Sequence, residues 1–94
     1  MMYIVHCLDN KNALAKRKEF YEAHRAYVGT AAQKRITMVM AGPLVHENND
    51  SAGSCYLMEA PDYATVKAFN DADPFSINGV FETVHIHQYL RRAP

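Results

Sequence analysis

Leu14–Val28 reads LAKRKEFYEAHRAYV, and the division of the chain follows from its spacing. Leu14, Arg17, Tyr21, His24, Val28 and then Ala31 recur every three or four residues, the period that lines side chains along one face of an α-helix. Ala13, Phe20 and Tyr27 run beside that stripe and widen it, while Lys16, Lys18, Glu19, Glu22 and Arg25 fall mostly elsewhere. The spacing predicts a helix packed on the core through this stripe, with two polar residues, Arg17 and His24, turned inward. Either Asn10 or Asn12 supplies the cap that starts it.

Upstream, residues 3–8 are apolar and partly β-branched, a first strand ending at the Asp9-Asn10 turn. Downstream, residues 36–44, ITMVMAGPL, read as a second strand broken at Gly42-Pro43, where a missing donor and a flexible backbone suit a strand end or bulge. VHENNDSAG supplies a polar turn, and residues 54–60 return as a third strand. Pro61-Asp62 starts a second helix, which Tyr63, Val66 and Phe69 continue. It must stop near Asn70 or Asp71, because Pro74 biases Asp73 away from helical backbone. PFSING forms a turn or a short helical piece. Residues 80–90 are a fourth strand, with Val84, Ile86 and Leu90 alternating with His85, His87 and Tyr89, and RRAP is a solvated tail.

The order is βαββαβ, a split βαβ pattern that gives an α+β fold with an antiparallel sheet and both helices on one face. One layer of helices leaves the other face of the sheet uncovered, so a second protomer stacking sheet on sheet is the expected partner. The first and third strands are neighbours running in opposite directions, which brings Cys7 and Cys55 close.

Ninety-four residues suit a single domain, 1–94. Ten Lys and Arg balance ten Asp and Glu, with no basic block to neutralise phosphates, which argues against a nucleic-acid binder. No apolar run approaches the ~18 residues of a membrane span, and the first residues lack the pattern of a signal peptide. A cytoplasmic location and no membrane partner are expected. Cys7 and Cys55 belong to no CxxC pair and read as buried thiols.

His24 on this helix is either a core imidazole satisfied by its neighbours or a general acid or base. Arg17 either pairs with a carboxylate or holds an anionic group of a ligand. Asp73 is either a turn aspartate bonding its own backbone or the carboxylate that orients His24. Ser54 either opens a strand or offers its hydroxyl to a ligand. His85 and His87 share a strand face, and His6 adds a third imidazole, yet no Asp, Glu or Cys joins them at ligand spacing. No metal site is therefore expected. The Met38 and Met40 pair reads as packing. The chain has no glycine-rich phosphate loop, GxSxG elbow or HExxH motif.

AHRAYV around His24, MAGPL at 40–44, Gly53-Ser54 and DPFSINGVFETVHI at 73–86 together resemble the YciI-like family, also called the YCII-related domain. The likeness spans nearly the whole chain, and the DPF turn followed by a glycine and the last strand is its most specific part. It implies a ferredoxin-like fold and a dimeric α+β barrel with the sheets face to face, as in muconolactone isomerase. It also implies an active site centred on a histidine and an aspartate, here His24 and Asp73. One branch of the family resembles an enzyme that removes chloride from chlorinated hydroxyhydroquinones. Many members carry an arginine three residues before the histidine, followed by proline, where this chain has Tyr21 and Glu22. Arg17 stays at a position often basic in the family.

Two functions follow as expectations. The first is a cofactor-independent lyase or isomerase acting on a small aromatic or enolic compound. In it His24 moves a proton, Asp73 orients it, and Arg17, Ser54, Phe75 and the Gly42-Pro43 backbone shape the pocket. The second is a non-catalytic ligand-binding or partner module in which His24 and Asp73 are a structural pair. His24 lies about 10 residues into its helix, ~15 Å along the axis, so the DPF loop must fold inward for the two to meet.

Overall fold

The computed structural model describes residues 1–94. The elements are β1 (Met2–Asp9), α1 (Leu14–Val28), a 3-10 turn (Ala31–Lys34), β2 (Thr37–Val45), β3 (Ser51–Glu59), α2 (Tyr63–Asp71), α3 (Pro74–Ile77) and β4 (Phe81–Gln88). The four strands form one antiparallel sheet in the order β2-β3-β1-β4, the ferredoxin-like arrangement. PFSI, read as a turn or a short helical piece, is the one-turn helix α3.

Alternation along the central strands decides which face is the core. Tyr3, Val5 and Cys7 of β1 and Tyr56 and Met58 of β3 are buried together with Ile36, Val66 and Phe69. A smaller cluster joins Ala13, Phe75 and Val80, with Phe20 and Phe81 against it. In α2, Asp62 accepts from the Thr65 amide at 2.8 Å, and Val66 and Phe69 face the core as their spacing predicts. The helix ends at Asp71, three residues before Pro74. No helix is long and apolar enough to cross a membrane.

The α1 stripe behaves differently from its expected core role. No residue of α1 is fully buried, and Leu14 and Tyr21 are 42% and 52% exposed. Phe20 and Tyr27, the flanking residues, make the apolar contacts to the two clusters instead. Periodicity identifies a face of a helix without saying what stands opposite it, and here that face borders open space. Neither asparagine caps α1: Ala13 occupies the cap without a side-chain bond, and Asn12 takes a left-handed φ of 61°. The Asn10 amide donates to the carbonyls of Gly79 and Phe81 at 2.9 and 3.1 Å, tying the end of β1 to the start of β4.

Strand limits shift by a few residues. β3 begins at Ser51, ahead of the expected 54, because the hairpin extends through Ala52 and Gly53. Val80 lies just outside β4 although buried, and Tyr89 and Leu90 lie beyond it. Cys7 pairs with Ser54 and His6 with Cys55, so the two cysteines are near in register yet on opposite faces of the sheet. Only Cys7 is buried, and both are free. The face turned from the helices carries Ile4, Leu57 and Met40 in one row and His85, His6 and Cys55 in the next.

Candidate functional site

The space between α1 and the β2–β3 side of the sheet is an open cleft of about 700 Å³. Arg17, Tyr21 and His24 face it from α1, the Gly42-Pro43 backbone from β2, Ser54 and Tyr56 from β3, and Phe75 from α3. Lys18, Arg25 and Asp50 stand at its rim.

Asp73 precedes Pro74, which holds it in extended backbone at φ −62°, ψ 134° as the N-cap of α3. Its Oδ1 accepts from the Phe75 amide at 2.8 Å. This turn folds the carboxylate inward until it is only 2% exposed, and α3 packs beside α1. The distance along α1 is bridged in this way: His24 Nδ1 lies 2.8 and 2.9 Å from the two Asp73 oxygens. An ionised carboxylate only accepts, so the proton of the neutral ring sits on Nδ1 and Nε2 keeps its lone pair. The ring stacks on Phe75, with centroids 4.0 Å apart and planes 3° from parallel. Two contacts thus fix the orientation of the imidazole.

Arg17 does two things at once. Its Nε and Nη2 form a fork on Asp9, with Nη2 2.9 Å from Oδ1, and Nη2 also donates to Ser54 Oγ at 2.9 Å. Its guanidinium carbon lies 5.0 Å from the Phe75 ring centroid. Arg17 is therefore both a partner of a carboxylate and a wall of the cleft.

Arg17, His24, Gly42, Pro43, Ser54 and Phe75 gather around one space, and Asp73 stands behind His24 without lining it. His6 and His85 face each other on the far side of the sheet, with His87 beside Ile4. No cluster of three or more His, Cys, Asp or Glu that could hold a metal forms. Sequence reasoning missed Tyr56 and the Asp9 partner of Arg17. Tyr56 was within reach, since it lies two residues from Ser54 on the same strand and so on the same face.

Burial, with the nearby Asp73 charge next in weight, pushes the Cys7 thiol up to about 12. Burial likewise raises the Tyr56 hydroxyl far above its ordinary value, against a smaller opposing pull from Ser54. Tyr56 Oη is buried and makes no hydrogen bond of ordinary geometry. Both groups hold their protons at neutral pH.

The sequence profile of the YCII-related domain matches residues 1–89. The chain belongs to the YCII-related domain family. Protein YciI of Escherichia coli is 28% identical, the match covering 97% of this chain and 98% of YciI. Among solved structures, 5-chloro-2-hydroxyhydroquinone dehydrochlorinase (TftG) of Burkholderia phenoliruptrix, in complex with 2,5-dihydroxybenzoquinone, superposes with a TM-score of 0.84. It is 25% identical, over 96% of this chain and 94% of TftG. PA3566 of Pseudomonas aeruginosa shares the fold at a TM-score of 0.58 and 14% identity, over 98% of this chain and 93% of its own. This YCII-related domain thus has a ferredoxin-like fold of the kind found in dimeric α+β barrels.

Proposed function

We propose that this YCII-related protein is a cofactor-independent lyase or isomerase that moves a proton on a small aromatic or enolic compound, with His24 as the acid–base group and Asp73 as its orienting carboxylate. The observation that carries the reading is the His24 imidazole at the wall of the cleft, its Nδ1 taken by a buried carboxylate. That leaves Nε2 to work as a base. A cleft of about 700 Å³ is of the size that takes small molecules.

In the step envisaged, Nε2 takes a proton from carbon next to a carbonyl, or from an enol hydroxyl. The electron pair released either expels a leaving group or moves into the carbonyl. The imidazolium then returns its proton to the leaving group or to another carbon, and Asp73 stabilises the cation in between. Likeness to TftG over nearly the whole chain supports hydroxylated aromatic or quinone-like substrates. Phe75 supplies a ring against which a planar compound can lie.

The experiment is an assay of wild type and His24→Ala on chlorinated hydroxyhydroquinones and cyclic enols, following chloride release and deuterium exchange at carbon. Loss of turnover by a factor of ~10² or more in His24→Ala is the expected result. Equal turnover in the two proteins would sink the acid–base role.

A second reading has one observation in its favour: Asp73 caps α3 while holding α1 through His24. As a purely structural pair they would make Asp73→Ala costly in stability, by ~1 to 3 kcal/mol for a buried partner left unmatched. In that case the protein would bind a ligand without turning it over.

We further propose that the face carrying Ile4, Leu57 and Met40 is covered by a second copy of the chain, giving a dimer with the sheets face to face.

A further inference from the structure

The cleft offers more hydrogen-bond donors than the protein consumes. Arg17 has five N–H groups. Those on Nε and Nη2 serve Asp9 and Ser54, and Nη1 has no protein partner. Ser54 Oγ accepts from Arg17 and gives its own proton to no acceptor at hydrogen-bonding geometry. Tyr56, only 2% exposed, carries a hydroxyl that makes no hydrogen bond of ordinary geometry, with Ser54 near enough to pull on it.

The nearby acceptors are already taken. Both oxygens of Asp9 receive Arg17, and both oxygens of Asp73 receive His24. Of the three donors, the Tyr56 hydroxyl is the buried one left unmatched, which costs free energy and calls for an acceptor supplied from outside, with the Arg17 and Ser54 donors beside it on the same cleft.

We propose that Tyr56 Oη, Ser54 Oγ and Arg17 Nη1 form the oxyanion-binding floor of the cleft, receiving a carbonyl oxygen of the substrate as it becomes an enolate. This assignment rests on the acid–base reading of His24. A proton passes from the substrate to His24 Nε2, the electron pair left behind moves into the C=O bond, and the charge on oxygen is met by the three donors. The His24 and Tyr56 ring centroids are 6.4 Å apart and both residues line the same cleft, so one small substrate can meet both. Burial keeps Tyr56 protonated and able to donate.

The substrate class narrows accordingly. The compound carries a carbonyl conjugated to an enol or phenol, as hydroxyquinones do, and it presents that oxygen to the floor. Molecules with donors only, such as ammonium ions, leave the floor unmatched and are excluded.

Calorimetric titration of 2,5-dihydroxybenzoquinone into wild type, Tyr56→Phe and Ser54→Ala tests the assignment, with thermal unfolding of each protein in the absence of ligand. Tyr56→Phe is expected to raise Kd about tenfold or more while leaving the ligand-free Tm equal or higher, because an unmatched hydroxyl is removed. Ser54→Ala is expected to raise Kd as well. Unchanged Kd in Tyr56→Phe overturns the assignment and leaves the role of His24 standing. A ligand-free Tm several degrees lower also overturns it, since the hydroxyl would then be matched inside the protein. No binding to wild type removes the substrate class, and the floor with it.

Discussion

Asp73 is asked to do two jobs with one carboxylate, and substitutions separate them. Asp73→Asn can keep the Oδ1 bond to the Phe75 amide, and so the cap of α3, but its amide nitrogen then faces His24 Nδ1. That favours the tautomer with the proton on Nε2, which removes the base. Turnover is expected to fall by ~10³ or more, by analogy with the same change in serine hydrolases, while the unfolding midpoint moves little. Cys7 gives a prediction with a worked sign. The fold keeps its proton up to about 12, against an ordinary 9.0. Between those limits the folded state binds the extra proton, so stability falls as pH rises through the window and this thiol contributes no slope below it. The loss approaches ~1.4 kcal/mol per pH unit, and urea midpoints from pH 9 to 11 should decline less steeply in Cys7→Ala. At pH 8, mass spectrometry after brief alkylation should find no label on Cys7, which is buried.

At the scale of elements, the β1–β3 pair and α1 behave oppositely. Gly53 lies against β1 so closely that a Cβ would stand 2.1 Å from the Cys7 carbonyl oxygen. Gly53→Ala must therefore push β1 and β3 apart where Ser54 is held, and a loss above ~2 kcal/mol is expected from denaturant unfolding. Tyr21 is the contrary case. Half-exposed on α1, it should cost under ~1 kcal/mol as Tyr21→Ala, although a fully buried aromatic would cost ~3 to 5. The helix itself was legible, since a 3.6-residue period over Leu14–Val28 admits no other element. Its packing was not, because the same period fits a stripe against a core and one beside a cleft. The caps failed for a similar reason: Asn10 found better partners in the carbonyls of Gly79 and Phe81, residues far off in sequence.

At the scale of the molecule, the sheet face turned from the helices governs assembly in solution. If a second copy covers it, Met40→Glu places a charge on an exposed position of that face, 64% accessible in the protomer. Sedimentation should then report a monomer with a normal unfolding midpoint, against a dimer for wild type. The sequence by itself determined the order of elements, the antiparallel sheet and the placing of Arg17 and His24 on one helix face, because these follow from local period and turn chemistry. It also held the family likeness that paired His24 with Asp73. Only the tertiary structure decided that α3 brings Asp73 to His24, that α1 borders a cleft, and that Tyr56 lies at that cleft without a hydrogen bond of ordinary geometry. Those contacts join residues 49 positions apart or on separate elements, and no local pattern carries the distance between two faces that meet only after the chain has folded.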